Sequence, residues 1–240
     1  MRTSFKAPTP SPRAGALAPA SAALAALVLL GGCAAGPASR ALVLGPGSGP
    51  RIELNLVPGA HYEARRGFGP FGYKVQPQVA VWLESPEGRY LGTLFVTDRA
   101  ERGAWRAAPE RGRPEALPVW SRLRGAEADA VSAATSKGET RVAARPAAGM
   151  PSGPCVVMLE TNRSYDWNEA YPEASAGVNG QPSLVYRAAI DAAGPARAVD
   201  FELLGRGSVD GSDGEIRPGA EGITTALELF SSMKAAWLPD

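Results

Sequence analysis

The stretch VAVWLES–PEGR–YLGTLFVT, residues 79–97, constrains the fold more than any other. Two runs rich in β-branched and aromatic residues flank a four-residue turn with Pro and Gly, the pattern of an antiparallel β-hairpin. Other short runs share the character. RIELNL alternates apolar and polar residues, as a half-buried strand does. TRVAA, CVVMLETN, SLVYRAAI and AVDFELLG each read as a strand bounded by turn residues. The 28 Gly and 22 Pro supply many turns and leave little room for long helices. Residues 98–124 are polar and broken by Pro109, Pro114 and Pro118, which predicts an excursion with one short helical turn packed through Trp105 and Trp120. At the C-terminus, GITTALELFSSMKAAWLP predicts a short helix capped by Thr224 or Thr225, with Leu227 and Phe230 inward. The expectation is a mostly all-β chain: an antiparallel β-sandwich with a short C-terminal helix and long loops.

The N-terminus points outside the cytoplasm. Arg2, Lys6 and Arg13 precede the apolar run AGALAPASAALAALVLL, and LGGC ends at Cys33. This order is that of a secretory leader. The run is short for a membrane span, and Pro19 interrupts it. Leu30, Gly31, Gly32 and Cys33 resemble a bacterial lipobox, in which lipoprotein signal peptidase cuts before a lipid-bearing Cys. An ordinary signal peptide with a chance Cys is the plainer alternative. The resemblance implies a signal peptide over 1–32; the Gly- and Pro-rich stretch that follows reads as a membrane tether over 33–50, and the strand-like runs beyond it as a single β-sandwich domain over 51–240. The resemblance also implies anchoring of Cys33 at the periplasmic face of the envelope. Ala34 stands where an inner-membrane retention signal would place Asp, which favours the outer membrane. Cys155, the second of two Cys, lies in an apolar run and reads as a buried, inert thiol.

Seven segments, taken in order, resemble a family of periplasmic proteins, domain of unknown function 2271. They are VAVWLESPEGRYLGTLFVT, LPVWSRL, DAVSAATSKGE, LETNRSYDWNEAYP, GQPSLVYRAAID, GRGSVDGSDGEI and ITTALEL. The resemblance implies an exported β-rich domain whose genes neighbour those for flavin transfer and membrane electron transfer.

DAVSAATSKGE carries a second, shorter resemblance. Proteins with covalent flavin mononucleotide share the pattern Asp, small, Val or Ile, Ser or Thr, Gly, Ala, Thr. A transferase moves FMN from FAD to the final Thr hydroxyl. Here the pattern falls on Asp129, Ala130, Val131, Ser132, Ala133, Ala134 and Thr135, so Thr135 would accept FMN. Ala133 replaces the usual Gly, which is disfavoured if that position needs positive φ. A strand from Thr140 also differs from the helix usual after the motif. The alternative is a loop in which Asp129, Ser132 and Thr135 bond nearby backbone.

NRSYDWNEAYP gathers oxygen donors and rings. Asp166, Trp167, Asn168 and Glu169 form a candidate ligand face, with Tyr165 and Tyr171 beside them. Hard oxygen donors suit Ca²⁺, and the rings suit a glycan; a capped polar loop is the blander account. VDGSDGE fails the EF-hand spacing, with Gly214 and Glu215 at the fifth and sixth positions. Arg111, Arg113, Arg122 and Arg124 could meet a phosphate or form a solvated face beside their Glu neighbours.

Charge balance limits function. With 25 basic and 24 acidic residues, nothing calls for nucleic acid. One His and two Cys cannot build a His- or Cys-rich zinc site. His61 has no Gly-x-Ser-x-Gly elbow to serve, and GPGSGP is not followed by a helix. No catalytic residue, metal or resident cofactor is predicted. The expectation is a lipid-anchored, non-catalytic binding or accessory protein of the bacterial envelope, with the membrane and an envelope protein as partners and a link to envelope electron transfer. The alternatives are an FMN-carrying redox protein modified on Thr135 and a carbohydrate- or cell-wall-binding module.

Overall fold

The hairpin at 79–97 forms two adjacent inner strands of the larger of two packed sheets. The computed structural model describes residues 41–43, 49–67, 69–103, 105, 112–124, 132–133, 138–146 and 149–239. The strands in chain order are β1 (Ala41–Val43), β2 (Arg51–Pro58), β3 (Ala64–Arg66), β4 (Tyr73–Val75), β5 (Gln78–Glu84), β6 (Tyr90–Thr97), β7 (Ser132–Ala133), β8 (Thr140–Ala144), β9 (Pro154–Asn162), β10 (Leu184–Asp191), β11 (Arg197–Asp200), β12 (Glu202–Arg206) and β13 (Phe230–Leu238). Three short helices join them: α1 (Asp98–Arg102), α2 (Pro118–Leu123) and α3 (Glu173–Ala176).

One sheet runs β1-β8-β2-β13-β11, the other β12-β10-β9-β5-β6-β7, and β3-β4 form a separate two-stranded sheet. Pairing is antiparallel except at two edges, where β1 lies parallel to β8 and β7 parallel to β6. The sandwich core follows the period-2 pattern of the strands. Ile52, Leu54 and Leu56 of β2, Val142 of β8, and Ala235 and Trp237 of β13 meet Val79, Val81 and Leu83 of β5, Val157 and Leu159 of β9, and Leu184 of β10. Cys155 joins this core, and burial, then the Asp191 carboxylate, push its thiol pKa up. Its reactivity is correspondingly low.

The six-stranded sheet is covered on its other face too. Ala80 and Trp82 of β5, Val96 of β6, Met158 of β9 and Val185 of β10 pack under Ala100 of α1 and under Val119 and Trp120 of α2. The excursion after β6 thus forms a third layer, with Trp105 packed at its margin. Gly103 ends α1 in the left-handed conformation at φ 61°, where a Cβ would be disfavoured.

Three expectations change. The stretch read as tether contains β1, so the sheet begins at Ala41 and not at Arg51. The C-terminal helix shrinks to a 3-10 turn over Thr225–Glu228, and Phe230–Leu238 is strand β13 between β2 and β11. Thr224 makes no side-chain cap, and Leu227 is exposed while Ala226 and Leu229 are buried. Pairing on both sides decides for the strand over the local preference of Met, Lys and Ala for helix. Finally, AVDFELLG is not one strand. It divides at Phe201 into β11 in one sheet and β12 in the other.

Candidate functional site

One end of the six-stranded sheet brings together several of the residues singled out in the sequence. Ala133 of β7 pairs with Thr97 of β6. The Thr97 hydroxyl donates to Gln78 Oε1 at 2.9 Å and accepts from the Val79 amide at 3.2 Å. Gln78 in turn pairs with Asn162 at the end of β9. Ala133 of DAVSAATSKGE and Asn162 of LETNRSYDWNEAYP therefore lie at the same end of one sheet.

Beyond Asn162 the chain turns into a buried polar network around Gln181. Asn162 Nδ2 donates to the Gln181 carbonyl at 2.8 Å, and the Gln181 amide donates to the Asp166 carbonyl at 2.9 Å. Gln181 Nε2 donates to Thr225 Oγ1 at 2.6 Å, while its Oε1 accepts from the Thr224 amide at 2.7 Å. Asp166 accepts from Arg163 Nη2 and the Thr225 hydroxyl, and Arg163 also donates to the His61 carbonyl. Both charges of the Arg163–Asp166 pair are buried, so each depends on the other for solvation. Asn162 Oδ1, Arg163 Nε and Asp166 Oδ2 are buried without a hydrogen-bond partner.

This network forces an unusual backbone. Tyr165 has φ 62°, the one positive φ at a non-glycine among the described residues. Its amide donates to the Val178 carbonyl at 2.8 Å, and its carbonyl accepts from Arg66. Gly180 is needed opposite, because a Cβ there would lie 2.6 Å from the Asp166 backbone. Tyr165 and Trp167 meet edge to face at 5.8 Å, and the Arg66 guanidinium lies 4.6 Å from the Trp167 ring centroid. Strained residues persist where surrounding contacts over-determine them, and here they aim two rings at one cation.

The candidate ligand face divides accordingly. Asp166 is buried in its ion pair. Trp167 gives its Nε1–H to the Gly177 carbonyl at 2.6 Å and one ring face to Arg66. Asn168 donates to the Gly222 carbonyl at 2.8 Å and to Thr224 Oγ1 at 3.0 Å, and accepts from the Tyr171 amide. Glu169 is exposed. Three of the four hold loops together.

Glu160 was not singled out, yet it is the most perturbed carboxyl of the region. It follows five apolar residues on β9, Cys155 to Leu159, and points to the helix-covered face. Leu117 precedes α2 without a side-chain cap. Glu160 supplies that cap across the sheet: Oε2 accepts from the Trp120 amide at 2.8 Å and Oε1 from the Val119 amide at 3.3 Å. Ser183 Oγ donates to Oε1 at 2.6 Å. Complete burial raises its pKa to about 7 against the lowering pull of those three donors. The signal available in sequence was a lone acid on the non-core phase of an apolar strand.

Arg113 corrects the picture of a solvated arginine face. It is buried, donating to Ser164 Oγ at 2.7 Å and pairing with Glu115 at 3.1 Å. Arg122 donates to the Ser212 carbonyl at 2.6 Å, and Arg124 lies 4.6 Å from the Trp120 ring centroid. In VDGSDGE, Asp213 holds Arg217 through both carboxylate oxygens, which keeps its carboxyl well below the usual range.

Cys33, Arg111, Asp129 and Thr135 lie outside the described residues. Of the flavin motif, Ser132 and Ala133 are described as backbone, in the extended conformation of β7. Extended backbone suits any L-residue, so alanine fits where the pattern has glycine. Among the described residues, no three His, Cys, Asp or Glu could hold a metal, and no helix is long and apolar enough to cross a membrane. No family model, curated protein or solved structure matches the chain.

Proposed function

We propose that the chain is an exported, lipid-anchored accessory protein of the bacterial envelope that acts by binding. In this reading it belongs with the periplasmic domain family that its seven ordered segments resemble, and it serves envelope electron transfer. The observation that carries a binding role is how the polar residues at the sheet end are used. Gln181, Asp166 and Asn168 tie together loops that hold the half-buried rings of Tyr165 and Trp167. Such a framework holds a recognition surface in place. The leader and the Leu-Gly-Gly-Cys sequence at 30–33 support the anchor. Replacing Cys33 by Ser should move the protein from the membrane to the soluble fraction; unchanged membrane association would overturn the anchoring.

A second reading, FMN carried on Thr135, has one observation in its favour. The motif's Ser132 and Ala133 form an extended edge strand, a conformation in which alanine stands in for glycine without strain. Co-expression with a flavin transferase should then add the mass of FMN, less one water, and Thr135→Ala should abolish the addition. An unmodified parent mass would remove this reading.

A further inference from the structure

The β3–β4 hairpin stands apart from both main sheets as a sheet of its own. Its turn and the first residue of β4 carry the two most exposed large apolar residues described, Phe71 at 88% and Tyr73 at 52%. The surrounding segment, 63–76, holds Arg65, Arg66 and Lys74 against the single carboxylate of Glu63, which Lys74 meets at 2.5 Å, so Arg65 and Arg66 are the cations in excess. In a chain of net charge +1, this is a local concentration of cations around exposed rings.

The hairpin is also fixed in position. A 3-10 turn over Gly69–Phe71 closes through the Gly72 amide to the Gly69 carbonyl at 3.3 Å, and Arg65 Nη2 donates to that carbonyl at 3.1 Å. At the base, Val75 is buried, and Arg66 is held by the Tyr165 carbonyl and the Trp167 ring. The positive φ of Tyr165 thus serves to clamp the root of the hairpin.

We propose that this hairpin tip docks onto an anionic lipid surface. Phe71 enters the interfacial region, Tyr73 lies at headgroup depth, and Arg65 meets lipid phosphates. Aromatic rings with flanking Arg and Lys suit the boundary between headgroups and acyl chains. Anionic lipids supply the complementary charge. Shape separates this occupant from a protein. A stable protein interface buries about 800 Å² on each partner, more than the two described rings, Phe71 and Tyr73, supply. A bilayer closes around a protruding tip. The inference rests on the envelope reading for the presence of such a surface, but it does not require the acyl anchor.

The test uses the full chain carrying Cys33→Ser, so that no acyl chain contributes, sedimented with phosphatidylglycerol or phosphatidylcholine vesicles. Binding should favour phosphatidylglycerol and weaken as salt is raised. Phe71→Ser should weaken it about tenfold, the loss expected for one ring left out of the interface. Arg65→Glu should weaken it further at low salt, and Phe71→Ser should keep the parent's melting temperature. Vesicle binding unchanged in both variants would overturn the proposal, as would a parent that ignores phosphatidylglycerol. Concentration-dependent dimerisation abolished by Phe71→Ser, without vesicle binding, would assign the tip to a second copy and also overturn it. Release of Cys33→Ser from cell membranes reports on the anchor alone, so the two readings fail separately.

Discussion

Toward the five-stranded sheet, the six-stranded sheet presents Val81, Leu83, Val157, Leu159 and Leu184, an apolar surface. Toward α2 it presents Trp82, Met158, Thr93 and Glu160, where each polar atom has an assigned partner. The first face stabilises through the area it removes from water, which many packings achieve. The second fixes where a six-residue helix sits, because Glu160 caps its first turn and Thr93 accepts from the Trp120 indole at 2.9 Å. Burial alone does not distinguish the faces; the direction of their hydrogen bonds does.

The sharpest break of this contrast is Trp120→Ala. It removes a buried ring, its bond to Thr93 and the platform for Arg124, and should cost about 3–5 kcal/mol in urea unfolding. Proteolysis should then cut first around 117–124 if the helical layer is held from this face. Next in size is the titration of Glu160. Its folded pKa of about 7 lies above the ordinary 4.5, so the native state holds its proton more tightly than the unfolded chain. Its stabilising contribution is full below pH 4.5 and is lost as pH rises to about 7, a fall of roughly 3 kcal/mol. Glu160→Gln should flatten that part of the stability–pH curve; an unchanged slope would place the titration elsewhere.

Gly207→Ala tests the close fit under α2. The new Cβ would stand 2.5 Å from Ser183 Oγ and 2.7 Å from Pro118 Cγ, so a loss of about 1–3 kcal/mol is expected in thermal melts. The smallest effect is Thr93→Val, which keeps the shape but removes the acceptor for the Trp120 indole. About 1–2 kcal/mol should be lost by the same measurement. A loss no larger than that of an exposed substitution would erase the proposed difference between the faces.

Much of the sandwich was legible because period 2 is written directly into the chain. YLGTLFVT and TRVAA coincide with β6 and β8, and CVVMLETN misses β9 by one residue. The C-terminal strand was not, because Phe230, Met233 and Trp237 fall at spacings a helix also satisfies. Only pairing with β2 and β11 decides it. The candidate site was half legible. Asp166, Trp167 and Asn168 could be picked out as polar and aromatic residues, but their partners Gln181, Thr224 and Arg66 lie far along the chain. Arg113 and Glu160 look like ordinary surface charges until the excursion folds back over the sheet. The wrong reading at 197–206 has another cause. Alternation is the same in both halves of AVDFELLG, and nothing local records that the chain changes sheets at Phe201.

That change has a mechanical consequence. The Phe201 amide donates to the Met233 carbonyl at 3.0 Å in the five-stranded sheet, while the next residue begins a strand of the other. Peptide bonds here act as a rivet through the two layers. Neither sheet can peel away without drawing on the other's edge, so the sandwich should come apart in one event, and a single cut at the rivet should let its layers loosen one at a time.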